Sequence, residues 1–171
     1  QGWISDDTDA AERVRIQYGT SMCYPISSMG SHVSVVPNHQ LNRITSLHTR
    51  ANVAYFGTFG YELDLNKLTD EEIAEVKAQI IFMKEYRELI QFGNFYRLKS
   101  PFDGNETVWM TVSEDKRKAL VFWYRERNVV NAEFTRVRLQ GLDPDLIYKN
   151  EYNGTENYGD ELMNLGLLTT D

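Results

Sequence analysis

The sequence predicts an α/β part followed by an all-β part. Before residue 100, strand-like and helix-like segments alternate, which indicates a parallel sheet built from β-α units. After Pro101, short β-rich runs separated by turn residues are typical of a small antiparallel β-sandwich. The pattern changes from alternating helices and strands to short β-rich runs near Ser100-Pro101. We therefore expect one domain over residues 1–100 and a second over residues 101–171.

Composition and charge exclude several classes of protein. The chain has 171 residues, of which 42% are hydrophobic and 25% are charged, as in ordinary globular proteins. The net charge is −7 and no basic cluster offsets it, so we expect neither nucleic acid nor a membrane surface as a partner. The single cysteine, Cys23, permits no intrachain disulfide.

The first β-α unit runs from an apolar strand end into a helix. Residues 2–4 resemble the tail of a buried strand, and residues 5–8 a loop. Asp9 and Glu12 match a capping box, in which Asp9 accepts hydrogen bonds from free backbone N–H groups. Gly19 is a candidate for an early helix end. The apolar residues at helical spacing are Ala11, Val14, Tyr18 and Met22.

The loop before this helix carries Asp6 and Asp7, which the cap does not need. Ligands in α/β folds bind outside the carboxyl ends of the strands, so both are candidates for a general acid or base, with Trp3 as part of an apolar wall. Two alternatives stay open. In the first, the acids only stabilise a helix N-terminus, where negative charge is favourable. In the second, Asp6, Asp7 and Asp9 bind Mg²⁺ or Ca²⁺. Because the spacing lacks the glycine and final glutamate of an EF-hand loop, we expect no metal.

A second β-α unit follows. Val33–Val36 is a short β-prone run, and Pro37–Gln40 is a polar loop after it. The loop carries His39, predicted to face the same end of the sheet as Asp6, where it either binds substrate or has a structural role. A second helix begins at Thr45.

The third unit has the clearest helix signal. Tyr61–Leu65 alternates as a half-buried strand does, and Thr69 with Glu72 forms a capping box before a long helix that ends near Gln91. Three parallel strands expose edges and cannot close a barrel. We therefore expect an N-terminal part that precedes this chain.

The all-β part contains three β-rich runs, Thr107–Val112, Ala119–Tyr124 and Thr135–Leu139. Glu114–Lys118 lies between the first two and is predicted to be a charged hairpin loop. If Trp109, Trp123 and Tyr124 are exposed, this part is instead a non-catalytic carbohydrate-binding or interaction module, which is our alternative function.

Several segments, in this order, resemble the α-galactosidases of glycoside hydrolase family 36. They are Trp3–Ala10, Arg15–Ser21, Ser28–Ser34, Val36–Gln40, Phe56–Leu65, Phe95–Leu98 and Asp160–Asn164. The resemblance implies a (β/α)8 TIM barrel followed by a C-terminal antiparallel β-sandwich, with this chain beginning near the end of the sixth barrel strand.

The resemblance also implies a reaction and its residues. Such enzymes hydrolyse terminal α-linked galactose, as in melibiose and raffinose, with retention and without a cofactor. The first Asp after the Ser in the family's segment is the acid/base, which implies that role for Asp6 and makes Asp7 its neighbour and the alternative. Trp3 and His39 are the expected substrate-binding residues.

One departure from the family is large. The family's nucleophile lies in a Lys-Trp-Asp segment, and a segment rich in Cys and Gly binds galactose; neither occurs in these 171 residues. We therefore expect the chain to be inactive alone and to need the remainder of the same enzyme, namely its N-terminal domain and earlier barrel strands. The resemblance further implies a homotetramer in a bacterial cytoplasm.

Overall fold

The computed structural model describes residues 2–4, 6–128, 130 and 134–169. The chain divides into two compact units, Gln1–Phe92 and Gly93–Asp171. Among the described residues, no helix combines the length and the apolar character that crossing a membrane requires.

The first unit is a parallel sheet with helices between its strands, so the predicted alternation of strands and helices is confirmed. The strand order is β1-β2-β3, and both pairings are parallel. The strands are β1 Gly2–Trp3, β2 Met29–Ser34 and β3 Thr58–Glu62. The helices are α1 Ala10–Thr20, α2 Leu47–Ala54 and α3 Asp70–Phe92.

Two strands begin earlier than the sequence predicted. β2 spans Met29–Ser34 rather than Val33–Val36, and β3 spans Thr58–Glu62 rather than Tyr61–Leu65, so both also end earlier than predicted. The reason for the earlier starts is pairing with a neighbouring strand, since Met29 pairs with Gly2 of β1 and Thr58 pairs with Gly30 of β2. A Cβ on Gly57, just before β3, would lie 2.7 Å from Ser31 Cβ and 2.8 Å from the Met29 carbonyl oxygen. Gly57 thus lets the segment before β3 approach β2 closely.

Helix α1 ends at Thr20, close to the early end proposed at Gly19. Met22 was predicted to belong to the apolar face of this helix, and that prediction is wrong. Its side chain lies beyond the helix end and is exposed.

The capping box of α3 is confirmed by both of its hydrogen bonds. The Thr69 N–H donates to Glu72 Oε2 at 2.9 Å, and the Glu72 N–H donates to Thr69 Oγ1 at 3.2 Å. The buried face of this helix contains Val76, Gln79, Met83 and Ile90, so its apolar stripe packs in the core of the first unit.

Loss of this cap has a predictable cost. We expect Thr69→Ala to lower the free energy of unfolding by about 1 kcal/mol, because one N-terminal N–H of α3 loses its acceptor. Thr69→Ser keeps the hydroxyl and is expected to retain most of that stability. Urea denaturation of the two variants checks this, and equal losses would contradict it.

The second unit is antiparallel. Its largest sheet contains β4 Asn94–Lys99, β5 Glu106–Val112 and β6 Ala119–Arg125, in that order. Two smaller sheets pair β7 Thr135–Val137 with β10 Leu167–Thr169, and β8 Ile147–Lys149 with β9 Glu156–Tyr158. A short helix, α4, spans Gly159–Asn164.

The division between the units differs from the predicted joint at Ser100-Pro101. Residues 94–99 form strand β4, which pairs with β5 and therefore belongs to the second unit. The sequence did not predict this strand, because Asn, Arg and Lys interrupt its apolar residues. The charged hairpin loop is confirmed, since the Ser113 N–H donates to the Lys118 carbonyl at 2.9 Å.

Candidate active site at the carboxyl end of the parallel sheet

The turn between β1 and α1 contains three aspartates, of which Asp9 is the most buried. Its side chain is the N-cap of α1 and accepts the Glu12 N–H at Oδ2, 3.0 Å away. The same oxygen forms an ion pair with Arg43 Nη1 at 2.6 Å. Only 2% of Asp9 is exposed. Asp9 is therefore a structural residue, as the sequence predicted.

Asp7 and Asp6 differ in their contacts. Asp7 is half-buried, and its Oδ1 accepts the Asp9 N–H at 3.0 Å. Asp6 is exposed. In the described part of the chain, its carboxylate forms neither a hydrogen bond nor an ion pair. The first aspartate thus has the carboxylate that remains available to a ligand.

Arg13 of α1 is a buried cation that interacts with Asp9 and Asp7 of this turn. Its Nη1 donates to the carbonyl of His32 on β2, while Nε and Nη2 have no hydrogen-bond partner among the described residues. Burial lowers the pKa of Arg13 to about 10, and the charges of Asp9 and Asp7 act in the opposite direction. Arg13 therefore stays protonated at neutral pH, with Asp9 and Asp7 as its countercharges.

The loop after β2 is bound to the same turn. Asn38 is buried, and its Nδ2 donates to Thr8 Oγ1 at 2.7 Å. The Thr8 N–H in turn donates to Gln40 Oε1 at 3.3 Å. His39 lies between these two contacts in the chain and is exposed. The structure thus joins the loop that carries His39 to the turn that carries Asp6.

The face of the sheet opposite α1 carries an aromatic pair. Trp3 is 62% exposed, and its ring centroid lies 4.6 Å from that of His32, with 32° between the ring planes. On the other face, Ser31 contacts Gln17 of α1. Because neighbouring strand residues point to opposite faces, His32 points away from that helix.

Sequence analysis missed His32, Arg13 and Arg43. His32 was overlooked because the strand was predicted to start after it, at Val33. Nothing local in the sequence indicates that Arg13 is buried, and its hydrogen-bond acceptor, the His32 carbonyl, lies 19 residues away in the chain. The exposed Arg43 has its partner, Asp9, 34 residues away.

Metal binding and the aromatic residues of the second unit were the other possibilities. Within the described ranges, no group of three or more His, Cys, Asp or Glu side chains is arranged to hold a metal ion.

Trp109 is only 1% exposed and its ring stacks on Phe122 with the ring centroids 4.5 Å apart, so it is a core residue. Trp123 and Tyr124 are half-buried. These positions do not favour the binding-module alternative.

Comparison with known proteins matches both units. The melibiase family model matches residues 1–93, and the model of the glycosyl hydrolase family 36 C-terminal domain matches residues 106–171. Alpha-galactosidase AgaA of Geobacillus stearothermophilus is 54% identical over 98% of this chain and 23% of its own length. The bifunctional alpha-galactosidase/sucrose kinase AgaSK of Mediterraneibacter gnavus is 48% identical, over 98% of this chain and 18% of its own length.

Solved structures agree with the sequence comparison. The alpha-galactosidase AgaB of Geobacillus stearothermophilus superimposes with a TM-score of 0.95 at 52% identity, over 98% of this chain and 23% of that protein. The chain thus spans about a quarter of the length of these relatives. It belongs to the melibiase family, and its second unit carries the C-terminal domain of glycosyl hydrolase family 36.

Proposed function

We propose that this chain is the C-terminal part of a retaining α-galactosidase that hydrolyses terminal α-linked galactose from sugars such as raffinose and melibiose. Its relatives of known name are α-galactosidases. A variant of AgaA has been solved in complex with raffinose, and another with stachyose. Asp6 is the proposed general acid/base of the double displacement. The observation that supports this assignment is that the carboxylates of Asp7 and Asp9 accept hydrogen bonds within the protein, whereas that of Asp6 is exposed.

An acid/base residue must exchange a proton first with the glycosidic oxygen and then with water, so its carboxyl group must reach both. Asp9 caps a helix and pairs with Arg43, and Asp7 accepts the Asp9 N–H. Both also interact with the buried charge of Arg13. Asp6 alone among the three is exposed. These contacts support Asp6 over Asp7.

The proposed mechanism divides the work between this chain and the remainder of the enzyme. In the first step the nucleophilic Asp, which these residues do not supply, attacks the anomeric carbon while Asp6 protonates the departing oxygen. In the second step Asp6 removes a proton from water, whose oxygen attacks the anomeric carbon and releases galactose. Trp3, three residues earlier, forms an apolar wall beside the sugar, and His39 a polar contact.

The proposal extends to the architecture of the whole enzyme. The first unit, with its parallel strands and intervening helices, supplies the last β/α units of a (β/α)8 barrel. The second unit, which is antiparallel, is the β-sandwich that follows. The family resemblance extends the proposal to a homotetramer in a bacterial cytoplasm.

Galactose release tests the proposed function. We expect the full-length protein that contains this chain to release galactose from raffinose with retained configuration at the anomeric carbon, observed by NMR before mutarotation. We expect the isolated 171-residue chain to release none, because it lacks the nucleophile. If the isolated chain were active and Asp6→Asn abolished that activity, the proposal that the nucleophile lies outside these residues would be wrong. An inactive full-length protein would contradict the proposed function.

A further inference from the structure

A second feature of the candidate site is the packing around His32. On β2, His32 is paired in register with Gly60 of β3, and Gly30 of β2 is paired with Trp3 of β1. These four positions lie on the face of the sheet opposite the helices. Two of them are glycines, which leave room on this face for the rings of Trp3 and His32.

Gly60 makes room for the His32 ring. A Cβ at position 60 would lie 2.9 Å from His32 Cδ2, so close that the ring would have to shift, and 3.4 Å from His32 Nε2. The glycines with positive φ are Gly141, Gly154 and Gly166. The backbone at Gly60 therefore does not require glycine, and the contact that a side chain there would disturb is the one with the His32 ring.

On its other side the His32 ring packs against Trp3. The centroids are 4.6 Å apart with the planes tilted by 32°, an arrangement that aromatic pairs favour. The His32 ring is thus held between the indole ring of β1 and the glycine of β3. Burial lowers the pKa of His32, while the charge of Glu62 acts against this shift. The imidazole is therefore neutral near pH 7, which suits an apolar contact.

We propose that His32 is a positioning residue for galactoside binding: its ring orients the Trp3 indole so that the indole packs against the galactose ring. This inference rests on the proposed function. The C–H groups on one side of a sugar ring are apolar and pack on aromatic rings. A ring that is already oriented loses less rotamer freedom when the ligand arrives, so binding is tighter than with a mobile indole.

Galactose, the proposed product, is the probe, because its binding involves no turnover. Calorimetric titration of the full-length protein gives its Kd. We expect His32→Ala to raise the Kd about three- to tenfold, the size of an aromatic pair contact. His32→Phe, which keeps a ring, is expected to restore most of the affinity, whereas Gly60→Ala, whose Cβ displaces the ring, is expected to weaken it. His48→Ala, on the exposed side of α2, is the matched control and should leave the Kd unchanged.

A double-mutant cycle gives the decisive result. If His32 acts through the indole, His32→Ala has no further effect on the Kd in a protein that already carries Trp3→Ala. An equal loss in the parent and in the Trp3→Ala variant, or an unchanged Kd in His32→Ala, would overturn the inference. If an alanine variant unfolds in a thermal scan, Trp3→Leu and His32→Val, which also remove the rings, replace the alanines in the cycle. Galactose binding without coupling overturns this inference alone, whereas no galactose binding at all overturns the proposed function with it.

Discussion

Asp6→Asn in the full-length enzyme is expected to slow raffinose hydrolysis by about 100- to 10,000-fold, the usual contribution of a general acid. The fructosyl-glucosyl leaving group is a poor one and depends on the proton that Asp6 donates. A dinitrophenyl galactoside, whose leaving group needs no proton, should lose little in the first step. Pre-steady-state kinetics should then show a burst of dinitrophenol, because the second step still lacks its base.

Azide provides an independent readout of the same assignment. This anion attacks the galactosyl-enzyme without giving up a proton, so it should accelerate turnover of the dinitrophenyl substrate by Asp6→Asn and yield the α-galactosyl azide. Asp103→Asn, an exposed aspartate of the second unit, is the control and should behave as the parent. If Asp6→Asn slowed the first step equally for raffinose and for the dinitrophenyl galactoside, Asp6 would not be the general acid. Rescue by azide in Asp7→Asn instead of Asp6→Asn would assign the role to Asp7.

Asp9→Ala is expected to lower the free energy of unfolding by about 2–4 kcal/mol. The substitution removes the α1 cap, worth about 1 kcal/mol, and leaves the buried Arg13 without its main countercharge. The Arg43 ion pair adds little, because the Arg43 side chain is 41% exposed. Urea denaturation and hydrogen exchange of the α1 amides measure the loss globally and locally.

Asp9→Asn separates the cap from the charge. Asparagine is as good an N-cap as aspartate, so this variant should keep the helix start and lose only the electrostatic part. We expect a loss of about half that of Asp9→Ala, with α1 amides still protected from exchange. Asp103→Ala is the surface control. If Asp9→Asn were as destabilising as Asp9→Ala, the cap would contribute nothing and the charge would account for the whole effect.

Helix starts were predictable because they depend on neighbours in the chain. Asp9 accepts the Glu12 N–H and Thr69 accepts the Glu72 N–H, and a helix start brings residues three apart together whatever surrounds them. The return bond of the capping box forms at Thr69, whose N–H donates to Glu72, whereas the Asp9 N–H donates to Asp7. The hairpin loop at Glu114–Lys118 was predictable for the same reason. The division into a parallel and an antiparallel part also followed, since it depends on how strand and helix patterns alternate along the chain.

Strand limits were less predictable because pairing joins distant residues. β4 has a mixed sequence and exists because β5 lies beside it. Likewise β2 begins early because Met29 pairs with Gly2, and β3 begins early because Thr58 pairs with Gly30. The β-propensity of a residue does not depend on these contacts, so pairing with a neighbouring strand can make a segment of low β-propensity a strand.

The sequence by itself determined that an acidic turn lies at the carboxyl end of a parallel strand, and that Asp9 is its structural member. Only the tertiary structure separated Asp7 from Asp6 by contacts, since the half-buried Asp7 accepts the Asp9 N–H above the buried Arg13. It also revealed His32 beside Trp3. The physical reason is that a carboxylate's availability and a ring's orientation depend on what packs around them in the folded chain. That neighbour is close in sequence for Asp7, which contacts Asp9, and distant for Trp3, which contacts His32.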